Sequence, residues 1–111
     1  MTVSILHRVT GGALYFGTLL IAWWLLAAAT SERQFDLANA VFGSWAGRFV
    51  LLGYTWALVH HMLGGIRHLI WDTGSGLEKT TASSMARLQI VAAIVLTLLV
   101  WIAGYAARGA F

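Results

Sequence analysis

Three long runs without a single Asp, Glu, Lys or Arg constrain this chain more than any other feature. They cover about 23 residues from Val9 to Ser31, about 18 from Phe49 to Ile66 and about 20 from Leu88 to Ala107. Each is close to the ~20 residues that a helix needs to cross a bilayer. In hydrocarbon every backbone N–H and C=O must be paired within the protein, which leaves helices or closed barrels. Alternating strand patterns are missing and the chain has no proline, so uninterrupted helices follow. The fold class is therefore an all-α membrane protein with three transmembrane helices, a single domain over residues 1–111 with helices at about 6–29, 45–71 and 85–107.

Composition agrees: 59% of the 111 residues are hydrophobic, too many for an ordinary soluble domain of this size. The first run also faintly imitates a secretory signal ending in "AAATS", but it exceeds the usual ~7–15 apolar residues of such a core. Cysteine is absent, which removes disulfides, thioether-linked haem and cysteine-held iron–sulfur clusters from this chain. A net charge of +3 raises the question of nucleic acid, yet the seven cations are scattered singly near helix ends, as membrane flanks are. No nucleic-acid partner is expected; membrane lipid is. Arg8, Arg67, Lys79 and Arg87 fall on one side and Arg33, Arg48 and Arg108 on the other, which orients the N-terminal end toward the cytoplasm.

Between the first two spans, "FDLANAVFGS" reads as a short interfacial helix, with Trp23, Trp24 and Trp45 at headgroup depth. The Gly, Ser and Thr of "DTGSGLEKTTASS" read as a loop leading to the third span near Met85. Small pairs four residues apart, Ala13 with Gly17 and Gly53 with Ala57, allow close approach of a helix or of a flat ligand.

The second span carries "HHMLGGIRHLIWD" from His60 to Asp72. Ionisable groups inside membrane helices are costly, so each is a functional candidate. His61 lies about six residues, or ~9 Å of rise, inward of Arg67. Steps of four, three and four link His61, Gly65, His68 and Asp72 into one stripe. His61 and His68 stand two turns apart, ~10.5 Å along the axis. A haem lying along the helix suits that spacing: imidazole on the iron, glycine under the porphyrin, donors near the propionates. His60 points about 100° away, toward Gly64 and Arg67, and is the second candidate ligand. A b-type haem in electron transfer commonly takes two axial histidines. The remaining histidine, His7, sits at the mouth of the first helix, so a second axial ligand is expected from another polypeptide.

The segment "SILHRVTGG" adds Ser4, His7 and Arg8 at the positive end of the first helix, where anions and polar ligands are favoured. Ser4 as an N-cap and Arg8 as a snorkelling flank account for them structurally. Topology, however, brings this cluster opposite His68 and Asp72. A hydroxyl and a guanidinium suit a carbonyl that gains negative charge on reduction, as a quinone's does, and Asp72 or a histidine suits proton transfer.

"SILHRVTG", followed some fifty residues later by "HMLGGIRHLIWD", resembles the cytochrome b556 membrane-anchor family of succinate dehydrogenase over nearly the whole chain. The resemblance implies half of a heterodimeric anchor in succinate:quinone oxidoreductase. A flavoprotein subunit would oxidise succinate, and an iron–sulfur subunit would pass electrons to the membrane. This chain would bind haem b with a second anchor subunit and help to reduce ubiquinone; no succinate chemistry is expected within it. By resemblance His61 is the axial iron ligand, while His7, Arg8, Gly65 and His68 form the propionate and porphyrin surroundings. Ser4, Arg8 and Asp72 belong to the quinone site, in a bacterial cytoplasmic membrane. Relatives usually carry a polar leader before the serine; here Met1 stands three residues ahead of Ser4, which bears on contacts with the iron–sulfur subunit. Fumarate reductase anchors, which share the architecture, and a haem-free structural anchor are the competing readings.

Overall fold

A computed structural model describes residues 2–109 as four helices: α1 Thr2–Thr30, α2 Glu32–Gly43, α3 Trp45–Asp72 and α4 Lys79–Ala107. Three of them, α1, α3 and α4, are long and apolar enough to cross a membrane. At 1.5 Å per residue each reaches roughly 40 Å, enough for the ~30 Å hydrocarbon core with a turn to spare at either end. Together they make a slab of 55 × 31 × 22 Å. The middle helix is α3, which packs against all three others.

The start of α4 differs from the composition-based expectation. That helix begins at Lys79, not near Met85, so the polar stretch from Lys79 to Ser84 is helical. The reversal is completed earlier, by Gly74 at φ 82° and Gly76 at φ 70°, with the Trp71 indole N–H donating to the Gly76 carbonyl at 3.1 Å. Both glycines adopt the left-handed region that costs other residues strain. After Gly76 no glycine or proline interrupts the chain until Gly104, so the exposed Ser and Thr continue the helix that the apolar run requires.

The amphipathic α2 is set by serines at both ends. Ser31 accepts the Gln34 amide at 3.2 Å, and Ser44 caps α3 by accepting the Gly47 amide at 3.1 Å while donating to Val41 O at 2.6 Å. A side chain on Gly47 would collide with the Val41 carbonyl, so glycine permits the tight α2–α3 corner. Trp24 donates to Asn39 at 2.9 Å and the Trp23 ring meets Phe42 at 5.8 Å, tying α2 to the end of α1. Trp45 is 89% exposed, as a headgroup-level anchor would be.

Packing is inverted relative to a soluble protein. Among the described residues the buried apolar side chains are the alanines Ala27, Ala38, Ala57 and Ala93, whereas most leucines, isoleucines and valines point outward. Lipid tails are as apolar as leucine, so close backbone approach and polar contacts hold the helices together instead. The Tyr54 ring lies directly on Gly17, its hydroxyl 3.2 Å from Thr18, and Trp101 of α4 donates to Thr55 of α3 at 3.0 Å. Of the two small-residue pairs, Gly17 and Ala57 serve helix packing, while Gly53 faces open space. Gly17→Val should therefore push Tyr54 off α1 and cost about 1–3 kcal/mol. A thermal unfolding scan in detergent checks this, with a Gly12→Val control at a position that meets nothing.

Candidate functional site

Adjacent residues on a helix diverge by about 100°, and that angle separates the two leading histidines of α3. His60 turns into the three-helix core and is fully buried; Gly64 and Arg67, one and two turns on, are buried with it. Gln89 of α4 meets it there: the amide nitrogen donates to the His60 carbonyl at 3.0 Å and lies 3.4–3.5 Å from both ring nitrogens. The Trp56 ring covers the imidazole at 4.8 Å. His60 is walled in by α4.

His61 faces the other way. Its stripe-mates Gly65, His68 and Asp72 are exposed, and a side chain placed on Gly65 would meet nothing within 4 Å. Gly65, His68 and Asp72 stay open, while α1 supplies the neighbours of His61 itself. The His7 ring stacks on His61 with centroids 4.1 Å apart and 11° between planes, and it meets His68 edge-on at 5.5 Å. Trp71 takes the other edge of His68 at 5.1 Å and lies under the Arg67 guanidinium at 4.7 Å. His61 Nδ1 lies 3.4 Å from Thr10 Oγ1, and its Cε1 edge lies against Gly11, where a Cβ would come within 3.3 Å.

Glycine at position 64 makes this junction feasible. A Cβ there would stand 2.7 Å from His7 Nδ1 and 3.1 Å from the Gln89 amide, so α1, α3 and α4 converge on a point with no side chain. His7 Nδ1, Gln89 Oε1 and Arg67 Nε are buried there without a protein partner.

The structure thus brings His7, His61 and His68 into one cluster and sets His60 apart from it. Ser4, Arg8 and Asp72 lie exposed at the same end of the bundle as this cluster. Thr10 and Gln89 are members that residue patterns alone do not single out. A glutamine in the third uncharged run is the signal that flags the second, since a polar group in a membrane helix needs a partner helix. Thr10, three residues after His7, shares its face of α1.

Among the described residues no cluster of three or more His, Asp or Glu side chains is arranged to hold a bare metal ion. A metal that brings its own equatorial ligands needs far less: one imidazole with a free nitrogen, a flat approach and nearby donors. The His61 face meets those terms. Nδ1 is engaged by Thr10, Nε2 has no protein partner among the described residues, and Gly65 leaves room against the backbone. His7 cannot serve as the opposite axial ligand in this arrangement, because two axial imidazoles point their nitrogens at each other, whereas these rings lie face to face.

The sequence matches the family described as succinate dehydrogenase/fumarate reductase transmembrane subunit over residues 1–100. It is 46% identical to the succinate dehydrogenase cytochrome b556 subunit of Paracoccus denitrificans over 96 residues, covering 86% of this chain and 74% of that one. The corresponding subunit of Rickettsia felis is 35% identical over 101 residues, covering 91% of this chain and 78% of that one. The chain belongs to this family, as a succinate dehydrogenase cytochrome b subunit that anchors the enzyme in the membrane.

Proposed function

We propose that this chain holds a b-type haem through His61 Nε2 and, with a second anchor subunit that supplies the opposite axial histidine, contributes to the ubiquinone-reducing site of succinate:quinone oxidoreductase. The observation that carries this reading is the partition of α3: the half-buried His61 shares a stripe with the open Gly65, while His60 is fully buried between Gln89 and Trp56. A ligand needs a free nitrogen and an approach, and of these two histidines His61 has both.

The other residues divide by position. Gly65 lets a planar macrocycle approach the α3 backbone, and His7, Arg8 and His68 lie where donors would meet its propionates. When bound, the haem supplies a one-electron store beside the quinone. Reducing a quinone to a quinol takes two electrons and two protons. Ser4 and Arg8, at the N-terminal end of α1, offer a hydroxyl and a guanidinium to the carbonyl oxygen on which charge develops. Asp72, exposed at the same end, suits proton delivery from water. Succinate oxidation takes place in a flavoprotein subunit, with an iron–sulfur subunit delivering the electrons. Both dock on the side of Ser4 and Asp72, the cytoplasmic side of a bacterial inner membrane, where Arg8, Arg67, Lys79 and Arg87 gather.

Replacing His61 with Leu in the assembled complex should remove most of the reduced-minus-oxidised haem absorbance, while His60→Leu retains it. A full b-type spectrum in the His61 variant refutes the ligand assignment. Arg8→Leu should lower quinone kcat/KM by about 10–100-fold, the worth of a charge-assisted hydrogen bond of roughly 1.5–3 kcal/mol. Succinate-driven reduction of an artificial dye should persist in the same preparation; unchanged quinone kinetics would remove Arg8 from the site.

A further inference from the structure

The hydroxyl of Thr10 sits between two helices with nowhere else to turn. Thr10 is only 2% exposed. Its Oγ1 is 3.0 Å from the His7 carbonyl, one turn back on α1, and 3.4 Å from His61 Nδ1 on α3. Thr30 shows the ordinary pattern for a helical threonine, donating back along its own helix to Leu26 O at 2.6 Å and meeting nothing else. Thr10 combines such a backbone contact with a histidine ring from another helix.

A hydroxyl has one proton to give and two lone pairs to receive with. A carbonyl can only accept, and it is the nearer neighbour. The Thr10 proton therefore goes to His7 O, and Oγ1 faces His61 as an acceptor. That choice dictates the imidazole: Nδ1 must carry the ring proton, and Nε2 must present its lone pair. Which nitrogen of a histidine binds a metal is set by the hydrogen bond that the other one makes.

We propose that Thr10 is a positioning residue for the haem-ligating imidazole, accepting the Nδ1–H of His61 and anchored by its own bond to the His7 carbonyl. This rests on the reading of His61 as the axial ligand and adds the group that selects its tautomer and ring orientation. Gly11 completes the seat by leaving space for the Cε1 edge, which a Cβ would approach to 3.3 Å. Coordination at Nε2 makes Nδ1–H more acidic and the bond to Thr10 stronger. In return the bond raises the basicity of the ligand and favours ferric iron.

The test uses the purified complex carrying Thr10→Val, which keeps the branched shape and loses the acceptor, beside Thr10→Ser, which keeps the hydroxyl. Haem transfer to an excess of apomyoglobin and a potentiometric titration of the haem band are the readouts. The Val variant should release haem about 10-fold faster, within the range typical for loss of a ligand's hydrogen-bond partner, and its midpoint potential should move positive. The Ser variant should match the parent in both. If the Val variant assembles without haem, restoration of haem in the Ser variant supports the proposal, and failure to restore it contradicts it. Val behaving like the parent, or Ser behaving like Val, overturns the role of the hydroxyl. Full haem retention in His61→Leu would instead overturn the ligand assignment, so the two failures are distinct.

Discussion

The donation from the Gln89 amide to the His60 carbonyl, 3.0 Å across the α3–α4 interface, is the contact on which the rest of the site depends. A membrane chain cannot leave such groups to lipid, where an unpaired amide costs several kcal/mol. Pairing them fixes the rotation of α3 against α4. Once His60, Gly64 and Arg67 are turned inward, helical geometry puts His61, Gly65, His68 and Asp72 on a different face about 100° away, of which Gly65, His68 and Asp72 stay exposed. The same junction admits His7 through the space above Gly64, which brings the start of α1 onto the His61 stripe. One buried polar contact thereby determines which of two adjacent histidines remains accessible.

Much of this is readable from residue order alone. Three uncharged runs imply three spans because backbone satisfaction in lipid allows little else, and the His61–Gly65–His68–Asp72 stripe follows from helical periodicity whatever the tertiary structure. The meeting of the N-terminal cluster with the end of α3 follows from the number of crossings between them, and the contact of His7 with His68 agrees with it. The start of α4 differs from the composition-based expectation because Ser and Thr resemble a loop, while a helix already committed by twenty apolar residues extends through them at little cost.

What residue order does not supply is rotation about the helix axes. Periodicity puts His60 and His61 on different faces without saying which face meets α4; that is decided by Gln89, whose partner is 29 positions away. Thr10 is hidden for a related reason. A threonine in a membrane helix is satisfied by its own backbone, and only the packing of α1 on α3 shows that its remaining lone pair reaches an imidazole. Small residues are similarly ambiguous: Gly17 carries the Tyr54 ring and Gly64 the His7 ring, whereas Gly53 and Gly65 face outward.

Under the proposed function the site is a shared one, with one imidazole from this chain and its counterpart from another subunit. The direct measurement is the low-temperature electron paramagnetic resonance spectrum of the oxidised, purified complex, taken with its haem content. One low-spin ferric haem per copy of this chain, with the signature of two axial imidazoles, is the expected result. A complex free of haem, or a high-spin haem held by a single imidazole, would contradict it.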